Sequence, residues 1–231
     1  MRKSLTTDTV PEVYARIVEK LKTAGRTSGS RDTAEQTGAA TGTDVNFLVA
    51  SADRKDGRTT TAIGLAAATA VLKPRRRVLL VDLDHRNPAI DSMLGLRSKE
   101  PSAGFVDVLH GEAGLEEVAR ATSVENLHVV CRSREALDVP DDCRSEAMLR
   151  ELSKVRSLYD YAFFDSPALN DHVDAGLLSE VMDSVLLVIR SDRSGKDDVL
   201  RAKGSIPEER LAGAVLNDFR NPVPSFIARH L

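Results

Sequence analysis

With 231 residues, 42% hydrophobic and 29% charged, the chain is long enough for one large α/β domain or two small ones, and is neither disordered throughout nor built to cross a membrane. A net charge of -3 argues against non-specific nucleic-acid binding by the whole surface. Cys131 and Cys143 lack a CxxC partner, which excludes a Cys-only zinc site or a disulfide framework within one chain and fits a reducing cytosol.

Residues 10–21 predict an amphipathic helix, with Val10, Val13, Tyr14, Ile17, Val18 and Leu21 at helical spacing. It closes a first segment, 1–22, that has no apolar run of signal-peptide length. Residues 23–44, rich in Gly, Thr, Ser and Ala, predict a flexible linker, with a polar helix around Asp32–Gln36 as the alternative. The remaining domain, 45–231, opens at Val45 with a change of character. Apolar runs at Val45–Ala50, Val78–Asp82, Leu127–Val130, Tyr161–Asp165, Ser184–Ile189 and Ala214–Leu216 predict strands buried on both faces. Between them, Thr60–Leu72, Leu115–Ala121, Ser145–Leu158, Ala175–Met182 and Val199–Lys203 carry helical patterns. The alternation predicts an α/β fold: a mostly parallel sheet flanked by helices on both faces. The basic run Lys73–Arg77 falls between a helix and a strand and reads as a solvated turn.

Three segments carry chemistry. The first strand runs into Ala52–Thr59, A-D-R-K-D-G-R-T, and then a helix. Strand, small-residue loop and helix make the context of a phosphate-binding loop, because the helix N-terminus offers unpaired amides and partial positive charge. Against the Walker A pattern, Gly57 allows close backbone approach and Thr59 offers a hydroxyl to Mg²⁺, while Arg58 replaces the phosphate-gripping lysine. Lys55 stands where a glycine is usual, and a positive φ there would cost about 1–2 kcal/mol. The second segment, Val78–Pro88, ends its strand in Asp82 and Asp84. Two carboxylates at a strand end suit Mg²⁺ or the activation of an attacking oxygen, and otherwise serve as loop and capping residues. The third, Tyr159–Leu169, ends a buried strand in Asp165, the Walker B pattern, whose plain alternative is a turn residue.

This ordered set resembles the bacterial tyrosine kinases of capsule and exopolysaccharide synthesis and, more distantly, the MinD/ParA deviant-Walker ATPases. The resemblance is carried by VLLVDLDHRNP, GFVDVLHG, NLHVV, YDYAFFDSP, DAGLLSEVMDSVLLVIR and GAVLND, and spans residues 45–218. It implies a P-loop NTPase-like fold with ATP and Mg²⁺ as cofactors. Thr59, Asp82, Asp84 and Asp165 would form the metal set, with Asp82 beside the γ-phosphate and the incoming hydroxyl. Asp82, Asp84 and Arg58 would be catalytic. Lys55, Asp56, Gly57, Arg58, Thr59 and Thr60 would hold the phosphates, Asn217 would face the adenine, and Arg190 would lie near the base or stabilise the strand end. PEVYARIVEKL resembles the family's N-terminal oligomer-contact segment. The implied partners are a membrane-anchored polysaccharide co-polymerase or adaptor and further copies of the chain, with no nucleic acid and no membrane insertion. The implied location is the cytoplasm, at the inner face of the membrane when a partner recruits the chain there.

Several departures shape the expectation. The loop carries Lys55 and Arg58, the stretch after Val130 lacks the family's G-x-x-P-P-N-P run, and the C-terminus lacks a tyrosine cluster. An impaired relative with a regulatory or oligomerisation role is therefore expected. The alternatives are a MinD/ParA-like positioning ATPase, whose signature lysine is Asp53 here, and an interaction module that binds no nucleotide.

Overall fold

Strand-forming runs that are apolar at nearly every position must be covered on both sides, and the fold meets that requirement. The structure is a computed structural model that describes residues 14–19, 45–96, 103–133, 139–143 and 145–218. The expected linker 23–44, its alternative helix and both ends of the 10–21 helix lie outside the described residues. The first helix, α1, is described over 14–19.

The sheet is built from β1 (Val45–Ser51), β2 (Val78–Asp82), β3 (Arg120–Ala121), β4 (Leu127–Val130), β5 (Tyr161–Asp165), β6 (Ser184–Arg190) and β7 (Leu211–Asn217). Its order is β3-β4-β2-β5-β1-β6-β7. Every pairing is parallel except β3 with β4. Successive residues point to opposite faces, so Phe47, Val49, Leu80 and Phe163 enter one apolar cluster while Leu48, Ala50, Leu79 and Phe164 enter the other. Phe163 stacks on Phe47 with ring centroids 5.4 Å apart, and Phe164 meets Phe105 edge-on at 5.7 Å.

The first face is covered by α2 (Arg58–Leu72), through Ala62, Leu65, Ala66 and Ala70. The second is covered chiefly by α7 (Glu146–Leu158) and α8 (Val173–Val181), through Met148, Leu152, Val155, Ala175 and Leu178. α7 starts at the Ser145 cap, whose hydroxyl accepts from the Met148 amide. α1 lies on α2: Val18 is buried in the first cluster, and the Tyr14 ring rests on Gly64, where a Cβ would come within 2.3 Å of it.

Four expectations need correction. The helix expected over Leu115–Ala121 stops at Val118 as α5, and Arg120–Ala121 turns back as a short antiparallel edge strand. The capped turn explains the brevity: Glu117 accepts from the Gly114 amide, and four residues carry too little periodicity to separate helix from strand. β7 is longer than Ala214–Leu216 and alternates between exposed and half-buried positions, since it has a neighbour on one side only. Short helices α3 (Ile90–Met93), α4 (Phe105–Leu109) and α6 (Val139–Cys143) fall where no helix was expected. The last α-helix among the described residues, α9, runs Lys196–Gly204, longer than the apolar pattern indicated.

Cys131 and Cys143 are buried and form no disulfide, as small apolar residues would. Among the described residues no helix is long and apolar enough to cross a membrane.

Candidate phosphate-loop site

Parallel strands deliver their C-terminal ends to one edge of the sheet, and that edge is where the chemistry-bearing residues meet. β1 ends in Ser51 and passes into the loop 52–57, which turns into the N-terminus of α2 at Arg58. Lys55 has φ 69° and Gly57 φ 91°, so the loop adopts two left-handed residues within three positions. The strain expected at Lys55 is therefore present. Gly57 is required twice over, by its φ and because a Cβ would come 2.0 Å from Nδ2 of Asn217.

Buried Asp56 ties the loop together. One of its oxygens accepts from the Asp53 amide at 3.0 Å, its carbonyl accepts from Asn217 Nδ2 at 2.8 Å, and its other carboxylate oxygen is buried without a partner. Burial raises the Asp56 carboxyl above the ordinary range. Asn217 thus touches the loop itself, through the Asp56 carbonyl. Arg190 pairs with Asp192 at 3.1 Å and Asp218 at 2.7 Å and donates to the Lys55 carbonyl at 3.3 Å, joining the ends of β6 and β7 to the loop. Lys55, Gly57, Arg58, Thr59, Thr60, Arg190, Asn217 and Asp218 line a cavity of about 500 Å³, so all but Asp56 of the expected nucleotide-holding residues meet around one opening.

The floor of this site is ionic. Arg58 is only 8% exposed. Its Nε donates to Asp165 at 2.8 Å, its Nη2 to Asp84, and its Nη1 to the Ser51 hydroxyl at 3.3 Å. The Thr59 hydroxyl donates to the second Asp165 oxygen at 2.7 Å, so both oxygens of that carboxylate are engaged. Burial raises Asp165, with Arg58 and then Thr59 pulling the other way.

Asp82, beside Asp165 in the strand register, has a different role from Asp84. Its oxygens accept from the amides of Asp84 at 3.1 Å and Ile90 at 3.4 Å, the second at the start of α3. Burial first, then repulsion from Asp165, pushes its carboxyl up to about 7. Asp84 also accepts from the Asn87 amide at 3.0 Å, and Asn87 in turn is bonded by Arg54 from the phosphate loop.

In this arrangement every member of the expected magnesium set already has a partner within the chain. Asp84 and Asp165 are ion-paired to Arg58, Thr59 spends its hydroxyl on Asp165, and Asp82 caps backbone amides. Among the described residues no three His, Cys, Asp or Glu side chains group to hold a metal ion.

Sequence reasoning missed three participants. Ser51 orients Arg58 and donates to the Asp53 carbonyl at 2.9 Å. Asp218 holds Arg190. Asn170, just past the β5 turn, donates to Asp53 at 3.3 Å and to the Asp198 carbonyl at 3.0 Å. Each is a small polar residue at or just past a strand end, the one signal that pointed to them.

A loop from strand to helix N-terminus, with carboxylates at the ends of β5 beside it and of β2 beyond, defines the P-loop NTPase class. The family described as AAA domain matches residues 49–199. The tyrosine-protein kinase YwqD of Bacillus subtilis is 30% identical over 175 residues, 74% of this chain and 71% of that protein. The tyrosine-protein kinase CpsD of Streptococcus pneumoniae serotype 4 is 29% identical over 172 residues, covering 73% of this chain and 74% of the relative. The solved chimerical protein CapA2B2 shares the fold with a TM-score of 0.75 at 22% identity, covering 91% of this chain and 85% of the other. The chain belongs to the AAA-domain family and to the bacterial tyrosine-kinase family of P-loop NTPases.

Proposed function

We propose that the chain binds a nucleoside phosphate at the β1–α2 loop, transfers no phosphoryl group at an appreciable rate, and acts as a regulatory or oligomerisation subunit of a surface-polysaccharide system. The observation that carries this reading is the state of Arg58. A P-loop lysine is a flexible point charge that follows the β- and γ-phosphates; Arg58 is a planar fork already bonded to Asp165, Asp84 and Ser51. Reaching toward a transferring phosphoryl group would strip two buried carboxylates of their partner. Breaking a buried pair costs about 3–5 kcal/mol, and every 1.4 kcal/mol added to a barrier is a factor of ten in rate.

Binding is spared because it draws on other groups. The amides at the start of α2 and the side chains of Lys55 and Thr60 open onto the cavity. The tyrosine-kinase relatives support a place in capsule or exopolysaccharide synthesis, with a membrane-anchored co-polymerase or adaptor as partner and recruitment from the cytoplasm to the membrane through it. Asp82, with its carboxyl near neutrality, remains poised as a proton acceptor should a hydroxyl approach.

The test is a kinase assay with MgATP and a Glu/Tyr copolymer, read with a phosphotyrosine antibody beside the Asp82→Ala variant. Equal, background-level signals are expected from both. Phosphotyrosine that forms with the unmodified chain and disappears in Asp82→Ala would establish an active kinase instead.

A further inference from the structure

We propose that Arg58 takes the place of the divalent cation between Asp84 and Asp165, so that this loop binds a nucleoside diphosphate without metal. The proposal rests on the nucleotide-binding reading above and deepens it by naming the ligand form.

Two buried carboxylates facing each other require a cation between them. In a metal-dependent site that cation is Mg²⁺, held by carboxylates and by the phosphates it accompanies. Here the guanidinium supplies it from inside the chain, with Nε on one carboxylate and Nη2 on the other. Arginine suits position 58 because its fork presents a separate nitrogen to each carboxylate, whereas an ammonium would have to reach both from one atom. Ser51 fixes the remaining nitrogen, and Thr59 completes Asp165, so the fork is held at three corners.

Metal entry would have to displace a bonded guanidinium from Asp84 and Asp165 together. Magnesium also dehydrates reluctantly and keeps to near-octahedral geometry, which a planar, already satisfied cluster does not offer. The phosphates do not need the metal for their own neutralisation to the same degree. Lys55 lines the cavity, and α2 directs its N-terminus into it. The preference for a diphosphate follows from charge. The charge of Arg58 is already engaged by Asp84 and Asp165, so without a metal each additional phosphate adds negative charge that only Lys55 and the α2 N-terminus offset.

The experiment is a fluorescence titration of the full chain with N-methylanthraniloyl-ADP in excess EDTA and again in 5 mM Mg²⁺. Equal affinity within about twofold in the two buffers is expected, with the matching ATP probe binding about tenfold more weakly in EDTA. In Arg58→Lys, affinity in EDTA should fall and Mg²⁺ should restore it by about tenfold or more. A tenfold or greater loss of wild-type affinity in EDTA overturns the proposal and leaves the nucleotide-binding reading standing. Binding in neither buffer overturns that reading, and this proposal with it. A second measurement needs no variant to fold: the Mn²⁺ paramagnetic resonance signal in the presence of ADP. No protein-immobilised Mn²⁺ is the expected result, and stoichiometric immobilised Mn²⁺ is the overturning one.

Discussion

A single exchange of one cationic side chain for another decides how the site is wired. Lysine at position 58 would have to serve Asp84 and Asp165 from one mobile nitrogen; arginine bonds each from its own nitrogen and is immobilised by doing so. The neighbouring Asp82 pays for its seat in the sheet with a raised carboxyl, near 7 where about 4 is ordinary. Between those values the folded chain keeps the proton and the unfolded chain has lost it. Stability contributed at this site is therefore greatest at acid pH and falls as the pH rises from about 4 to about 7, by on the order of a few kcal/mol, and then levels. Buried Asp56 is shifted in the same direction. Urea midpoints measured from pH 4.5 to 8 should show a shallower decline in Asp82→Asn than in the parent chain. Parallel curves would mean that Asp82 ionises normally in the fold. The amide cannot accept both backbone hydrogen bonds, so the comparison rests on the slopes and not on the absolute midpoints.

At the level of elements, α2 connects the site to the rest of the chain. Its N-terminus forms the loop wall, its alanine-rich face lies on the sheet, and its outer side receives α1. Gly64 is the contact point: Tyr14 sits where a Cβ would go and hydrogen-bonds Thr61 one turn earlier. Two effects of Gly64→Ala oppose each other. Within the helix alanine is better than glycine by about 1 kcal/mol, yet the new methyl evicts the Tyr14 ring. The substitution should lower the urea midpoint of the parent chain and raise it in a Tyr14→Ala background, where the ring is already gone. A gain in both backgrounds would show that α1 contributes no docking energy.

Elements of this kind were unequally legible. β2, β4 and β5 lie within the limits read from the sequence, because a short apolar run bounded by polar residues has few other interpretations. α5 and β3 were merged into one helix because four and two residues leave no period to read. In the site, the loop, the two strand-end aspartates and Asp165 were visible as a pattern of residue types. What Arg58 binds was not visible, since it depends on three strand ends being side by side, which is a property of strand order and not of local sequence. Ser51 and Asn170 escaped notice for the same reason.

At the scale of the molecule, the sheet is a partition between two apolar cores that share every central strand. β5 shows the arrangement most directly: Phe163 belongs to the core under α2 and Phe164 to the core under α7 and α8, on consecutive residues of one backbone. Loss of either core would expose one face of all the central strands, so neither half can persist without the other. The site depends on this shared wall, because Asp165 follows Phe164 directly and is fixed in register with Asp82 on one side and Val49 on the other. Phe163→Ala should cost about 3–5 kcal/mol, as large-to-small changes at fully buried aromatics do. More telling is how the variant unfolds. Far-ultraviolet circular dichroism reports both helical layers, and tyrosine fluorescence, recorded in a Tyr14→Ala background, reports Tyr159 and Tyr161 at the start of β5. For Phe163→Ala and Phe164→Ala alike, the two signals should move together to lower urea concentration in one transition with an unchanged slope. Separate transitions in either variant would mean that the two faces fold independently and that the ionic floor of the site is anchored from one side only.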